Sequence, residues 1–283
     1  MKHIAEILRT IDKLQPASRV MNRIMEFSGD PEGEVSDLVD IVRYDQVLTA
    51  NLLKMCNSAY YGFPVHVDSV DQAVKLLGTN NTVKLALLGS FGENLSKARK
   101  GYGLERGELW KASVASALLA ESFSNKRYPG IDKFIVYTAS LLRDIGKIII
   151  DDYVGRSLKK IESLVNKRNC SFDEAETEVL GINHAEIGGL IAEKWNFNPN
   201  MVFIIRNHHL SDPNAREDLA TAITHLVDTV ARLCNVGIGA DGLAYRVYEE
   251  IFGLLGVSET DMKDLLAGFK INIGIAEKLF NSL

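Results

Sequence analysis

Val35-Ser36-Asp37-Leu38-Val39-Asp40-Ile41-Val42 decides the fold class of this chain. Val35, Leu38, Val39 and Val42 fall at i, i+3, i+4 and i+7, which places them on one stripe of an α-helix. The same spacing returns at Val83, Leu87 and Ser90, with Leu88 alongside. Stretches of strand-like alternation are almost absent. Phe134-Ile135-Val136-Tyr137 and Ile148-Ile149-Ile150 are short β-branched runs, but helical patterns flank both. Pro16, Pro31, Pro64, Pro129, Pro199 and Pro213 punctuate the chain, most of them at expected helix edges. Ser258-Glu259-Thr260-Asp261 reads as a capping box that opens a last helix. The expected fold is all-α.

Composition narrows the classes of function. At 283 residues the chain can bury a core as one large domain or two ordinary ones. Apolar residues make up 46% and charged residues 24%, an ordinary globular balance. A net charge of −5 and a pI near 5.7 argue against a nucleic-acid surface, and no basic stripe with interleaved aromatics occurs. Cys56, Cys170 and Cys234 lack framework spacing, which points to reduced thiols. Glu6, Arg9, Asp12 and Lys13 interrupt any apolar leader, and no uncharged apolar run reaches about 18 residues. A cytoplasmic protein without a membrane span is expected. Arg99-Lys100-Gly101-Tyr102-Gly103 is a soft break. It suggests helical halves at residues 1–100 and 101–283, packed as one functional unit.

The first half carries a long motif. Leu14-Gln15-Pro16, Asp30-Pro31 and the opening stretch lead into Asp45-Gln46-Val47-Leu48-Thr49-Ala50-Asn51-Leu52-Leu53-Lys54-Met55-Cys56-Asn57-Ser58-Ala59-Tyr60-Tyr61-Gly62. Ser69-Val70-Asp71-Gln72-Ala73-Val74-Lys75-Leu76-Leu77-Gly78 follows. This resembles the HDOD domain, a bacterial branch of the HD superfamily of metal-dependent phosphohydrolases; Gln46 departs from the family's usual proline. Read locally, Asn57 through Gly62 is a helix end, with Asn57 and Ser58 bonding backbone and Gly62 free to take a positive φ. Its polar tip is a candidate partner surface; alternatively it only stops the helix and packs Tyr60 or Tyr61 into the core.

The second half carries Leu141-Leu142-Arg143-Asp144-Ile145-Gly146-Lys147, which resembles the His-Asp turn of the HD superfamily with its histidine replaced. An arginine has a permanent charge and no lone pair to give a metal. The superfamily's order implies a first histidine at Ala112, a second at Arg143, the aspartate at Asp144 and a last aspartate at Asp228. Ala112 and Arg143 are thus substituted ligand positions. Arg143 is expected to fill the vacated volume and pair with Asp144 or Asp228. The resemblance also implies a second metal set that is intact here: Asp144, His184, His208 and His209. Such ligands suit Fe, Mn, Ni or Zn. Adjacent residues on a helix diverge by about 100°, so His208 and His209 need not point together. His225, one turn before Asp228 on the same face, is either a neighbour of the site or, as the pattern favours, a helix-surface residue, and His3 and His66 belong to no constellation. Asp144, Lys147 and Asp228 are the catalytic candidates, Lys147 either touching a phosphate or pairing with an acid.

No nucleophile elbow, P-loop or dinucleotide fingerprint occurs. Leu210-Ser211-Asp212-Pro213 lacks the Gly-Tyr-Pro of cyclic-dinucleotide phosphodiesterases in the superfamily. The resemblance therefore implies a signalling or regulatory module, degenerate for catalysis, with a protein partner. The alternatives are a phosphohydrolase using the surviving set, and a helical cleft that senses a small phosphorylated ligand or nucleotide without turnover.

Overall fold

The structure, a computed structural model, describes residues 2–13, 19–28, 34–43 and 45–282. Among them no strand forms, and the all-α expectation is met. One isolated antiparallel bridge, Arg99 to Leu104, closes the turn that the sequence marks as a break. The helices are α1 (Lys2–Lys13), α2 (Arg19–Ser28), α3 (Val35–Arg43), α4 (Gln46–Cys56), α5 (Val70–Leu77), α6 (Thr79–Ser96), α7 (Glu108–Arg127), α8 (Lys133–Leu142), α9 (Lys147–Arg168) and α10 (Phe172–Leu180). They continue as α11 (His184–Lys194), α12 (Pro199–Asn207), α13 (Leu219–Leu233), α14 (Glu250–Leu254) and α15 (Glu259–Phe280). The β-branched runs at 134–137 and 148–150 lie in α8 and α9. Leu14-Gln15-Pro16 and Asp30-Pro31 lie outside the described residues.

Two compact units arise: Met1–Leu14 with Ser96–Gly274, and Gln15–Leu95 with Ile275–Leu283. In the smaller unit the opening stripe buries Leu38, Val39 and Val42, while Val35 at the first turn is 48% exposed. The Asp45 carboxylate caps α4 by accepting from the Val47 and Leu48 amides. Asn57 ends it: its amide group donates to Leu53 O and Val67 O and accepts from the Val67 amide. Gly62 takes φ +57°. Tyr60 is 36% exposed and meets Tyr61 edge-to-face, while Tyr61 stacks on Phe63, so Tyr60 is not a core residue.

The larger unit holds the second motif. α8 and α13 pack on α7 around a core that includes Leu119, Phe123, Leu226, Val230 and Phe269, and α11 packs on α12. Burying such side chains is worth about 1.5–3 kcal/mol each. Ser258 and Asp261 bond each other's backbone amides, the capping box expected before α15. Gly146 is required by a close approach: a Cβ there would lie 1.9 Å from the His184 carbonyl oxygen. That contact seats the start of α9 directly on the start of α11 and brings the two halves of the site together.

Candidate functional site

Arg143 caps the C-terminus of α8, Asp144 follows in the turn, and Lys147 opens α9. Asp228 and Arg232 stand one turn apart on α13. Asp241 enters from a 3-10 turn, Ala240–Leu243, in the segment between α13 and α14. These six side chains close an alternating ring of ion pairs. Arg143 Nε lies 3.3 Å from Asp144 and 3.0 Å from Asp228. Lys147 Nζ lies 2.8 Å from both Asp144 and Asp241. Arg232 completes the circle, 3.1 Å from Asp228 through Nε and 3.1 Å from Asp241 through Nη2. Arg143 also donates to Ser140 O at 2.7 Å. Five of the six residues are buried, and the Arg232 side chain, 12% exposed, forms the edge.

Burial on its own would favour the neutral acids. The charges of Lys147 and Arg143 outweigh it at Asp144, those of Arg232 and Arg143 at Asp228, and those of Lys147 and Arg232 at Asp241. All three carboxyls are held below the usual carboxylate range, so they are charged at neutral pH. Three cations then balance three anions, each with two partners. This satisfies the requirement that buried charges be paired.

Beside the ring, His184, His208 and His209 bring one ring nitrogen each within 4.8 Å of the others, all three side chains buried. His184 Nδ1 bonds Glu176 at 2.7 Å, and its Nε2 lies 2.8 Å from His209 Nε2 and 3.5 Å from Asp144. An acceptor-only carboxylate assigns the Nδ1 proton of His184. The same Glu176 accepts from the His184 amide and the Tyr102 hydroxyl. His208 Nδ1 bonds Ile205 O at 2.8 Å, while its Nε2 is buried without a hydrogen-bond partner. Burial, then the neighbouring imidazole, depresses His208 and His209 well below the usual range, so both are neutral at pH 7. Burial also opposes the charge on His184, but the Glu176 carboxylate outweighs it and raises that group.

Two expectations about the histidines are corrected. His208 and His209 do not diverge: α12 ends at Asn207, and both imidazoles stand beside the His184 ring. The pair sits on the turn with ring centroids 4.1 Å apart. His225 is not a surface residue but a neighbour of the histidine group, the other of its two readings. It is fully buried, its Nδ1 is 2.9 Å from His208 O, and Tyr245 stacks on it at 5.3 Å. His66 pairs locally with Asp68 and His3 packs on Tyr153, both apart from the cluster.

The two positions that the resemblance marks as substituted, Ala112 and Arg143, are both filled. Arg143 occupies one as described. At the other, Gly237 takes φ +63°, and a Cβ there would come within 2.4 Å of Ala112 Cβ. The segment after α13 therefore lies directly on Ala112, and Gly239 lies as closely on Tyr102 O. Sequence reasoning missed Glu176, Arg232, Asp241 and Tyr245. Only Arg232, four residues beyond Asp228 on one helix face, offered a signal in the sequence.

The donor set tests two metal positions differently. Between Asp144 and Asp228 a guanidinium already stands, and the ring is charge-balanced, so a divalent cation does not fit there. The three imidazoles do fit one ion: two are neutral, two are oriented through Nδ1, and His208 Nε2 is an orphaned buried donor atom.

Fold and site together define an all-α protein with a buried ring of ion pairs beside a group of three histidines. The HDOD domain profile matches residues 14–211, and the chain belongs to the HDOD family. The match takes in Arg143, Asp144 and the three histidines; Asp228, Arg232 and Asp241 lie beyond it. An HDOD domain protein of unknown function from Geobacter sulfurreducens is similar in structure, with TM-score 0.76 at 22% identity over 98% of this chain and 97% of that one. A Shewanella amazonensis SB2B protein with the provisional name of a phosphohydrolase gives TM-score 0.72 at 20% identity, covering 99% and 98%. An uncharacterized protein of Treponema pallidum (strain Nichols) is 26% identical over 232 residues, 81% of this chain. The chain spans only 43% of that relative's length. Among the described residues no helix is long and apolar enough to cross a membrane.

Proposed function

We propose that this chain is a regulatory HDOD module of the bacterial cytoplasm that acts through a signalling protein partner and has lost phosphohydrolase catalysis. Residues 1–100 and 101–283 work as one unit in this reading. The observation that carries it is the buried Arg143 guanidinium between Asp144 and Asp228. Phosphoester hydrolysis in the superfamily needs metal-bound water and a polarised phosphoryl oxygen. Here the carboxylates that would hold that metal are neutralised by Arg143, Lys147 and Arg232. Gly237 closes the space over Ala112. A provisional signal-transduction name on the similarly folded Marinobacter aquaeolei VT8 protein is in keeping with the partner role. The test is hydrolysis of an aryl phosphoester and of cyclic dinucleotides with added Mn²⁺. No turnover above the metal blank is expected; robust turnover by the native chain, abolished by Asp144→Ala, overturns the reading.

A second reading is supported by the orphaned His208 Nε2. His184, His208 and His209, with Asp144 at the side, would hold one Fe, Mn, Ni or Zn ion in a metal-dependent phosphohydrolase. Such an ion would supply Lewis acidity. Glu176 and Ile205 O orient the imidazoles, and the Tyr102 hydroxyl holds Glu176 in turn. Metal content of the purified chain, with turnover measured on the same sample, separates the readings: one bound ion without turnover makes the metal structural.

A further inference from the structure

We propose that the Asp241 carboxylate is a built-in anion, occupying a binding site for a phosphoryl group between Lys147 and Arg232 and released from it when the segment around it swings away. Asp241 differs from the other ring members in its origin. Arg143, Asp144, Lys147, Asp228 and Arg232 belong to α8, α9, α13 and the turn between the first two. Asp241 is carried by a strap, residues 235–249, that crosses the site from outside the helices. One Asp241 oxygen bonds Lys147 Nζ at 2.8 Å and Arg232 Nη2 at 3.1 Å, and Arg232 Nη1 reaches the Asp241 carbonyl at 3.3 Å. With the strap lifted, an ammonium and both guanidinium Nη groups face one vacated volume. That fork-plus-point-charge set is the one proteins use for phosphate. The ring would then hold three cations against two carboxylates, an unbalanced positive site.

In this exchange the strap would move as a piece. Gly237 and Gly239 lie at its start, and besides the bonds of Asp241 its ties include Ala240 N to Tyr102 O, the Ala244 carbonyl accepting from Phe172 N, Arg246 to Glu174, the Tyr245 hydroxyl to His225 Nδ1, and Tyr248 beneath the Arg216 guanidinium. Its outer side is open. A cleft of about 700 Å³, lined by Asn166, Asn169, Ser171, Tyr245 and Arg246 among others, runs along it and gives it space. Tyr245 on the strap stacks on His225 and lies 4.2 Å beneath the Arg232 guanidinium carbon, so release would also uncover the histidines. A phosphorylated ligand would thus trade places with the strap. Strap position would become the signal a partner reads.

This deepens the regulatory reading and rests on it, but the two fail separately: turnover would sink that reading without touching the affinities below, and a negative result below leaves it standing. Inorganic phosphate and phenyl phosphate are titrated into the native chain and into Asp241→Asn at fixed ionic strength. Calorimetry reads binding, and tryptic cleavage after the exposed Arg246 reads strap release. Asn keeps the shape and removes the competing charge, so roughly tenfold tighter phosphate binding is expected in the variant. Faster cleavage after Arg246 is expected in the phosphate-saturated native chain. Equal affinities, binding by neither protein, or cleavage unmoved by phosphate each overturn the proposal. Acetate binding as tightly as phosphate overturns the phosphoryl assignment. If Asp241→Asn does not fold in chloride, recovery of the folded state in phosphate supports the site, and failure to recover overturns it.

Discussion

A guanidinium between two buried carboxylates decides what that part of the site can hold. Arg143 is buried with Asp144 and Asp228 as partners, and truncating it would leave each carboxylate with one cation, Lys147 or Arg232. Breaking a buried pair by removing one side is costly because the remaining charge is uncompensated. Arg143→Ala is expected to destabilise the fold by on the order of 3 kcal/mol in urea unfolding. A change below about 1 kcal/mol, the scale of an exposed pair, would show that the ring is not what holds these helices. Ala112 makes a complementary point. Restoring a histidine there looks, from the sequence, like repair of a ligand. In the structure a side chain at Ala112 meets Gly237, so Ala112→His is expected to cost about 1–3 kcal/mol through overpacking and to add no bound metal. A stable Ala112→His chain that takes up a second equivalent of Mn²⁺ would refute this.

At the scale of elements, the legible features were local. The stripe at Leu38, Val39 and Val42, the capping box at Ser258, and the helix end at Asn57 follow from spacing and side-chain chemistry within a few residues. The pairing of Arg143 was legible through the resemblance, which leaves Asp144 and Asp228 as carboxylates in need of a partner. What was hidden depended on contacts across long separations. His225 read as exposed because a helix pattern does not show that α13 is covered on several sides. The convergence of His208 and His209 on His184 depends on α12 ending at Asn207 and packing against α11, which no local pattern shows. Glu176 and Asp241 carry no motif, since one lies eight residues before His184 and the other in an irregular strap. Glu176 offers a test of the histidine group: Glu176→Gln removes the charge on His184 Nδ1 and is expected to weaken Zn²⁺ or Ni²⁺ binding about 10–100-fold in a chelator competition. Unchanged affinity would mean that the metal, if bound, does not use His184.

Over the whole molecule, the ring and the histidines should impress two pH windows on the stability of the metal-free chain. Asp144, Asp228 and Asp241 have folded-state values depressed by their cations, after those outweigh burial. Groups of this kind contribute stability that is complete above the unfolded carboxylate range, about pH 4, and is lost as pH falls below it toward the folded values. His208, His209 and His225 are depressed by burial, so the unfolded chain takes up protons first as pH falls through about 6.5, and stability declines there. His184 runs the other way, because its raised value favours the folded state in acid, and it offsets part of that decline. Urea midpoints measured from pH 8 to pH 3 should therefore show a shallow fall between about pH 7 and 5 and a steep one below about 4. Asp241→Asn should flatten only the lower limb, since the imidazoles are not its partners. A variant that flattens both limbs equally, or a native chain whose midpoint holds steady down to pH 3, would mean that the buried charges exchange with solvent and that the ring is not the closed structure described.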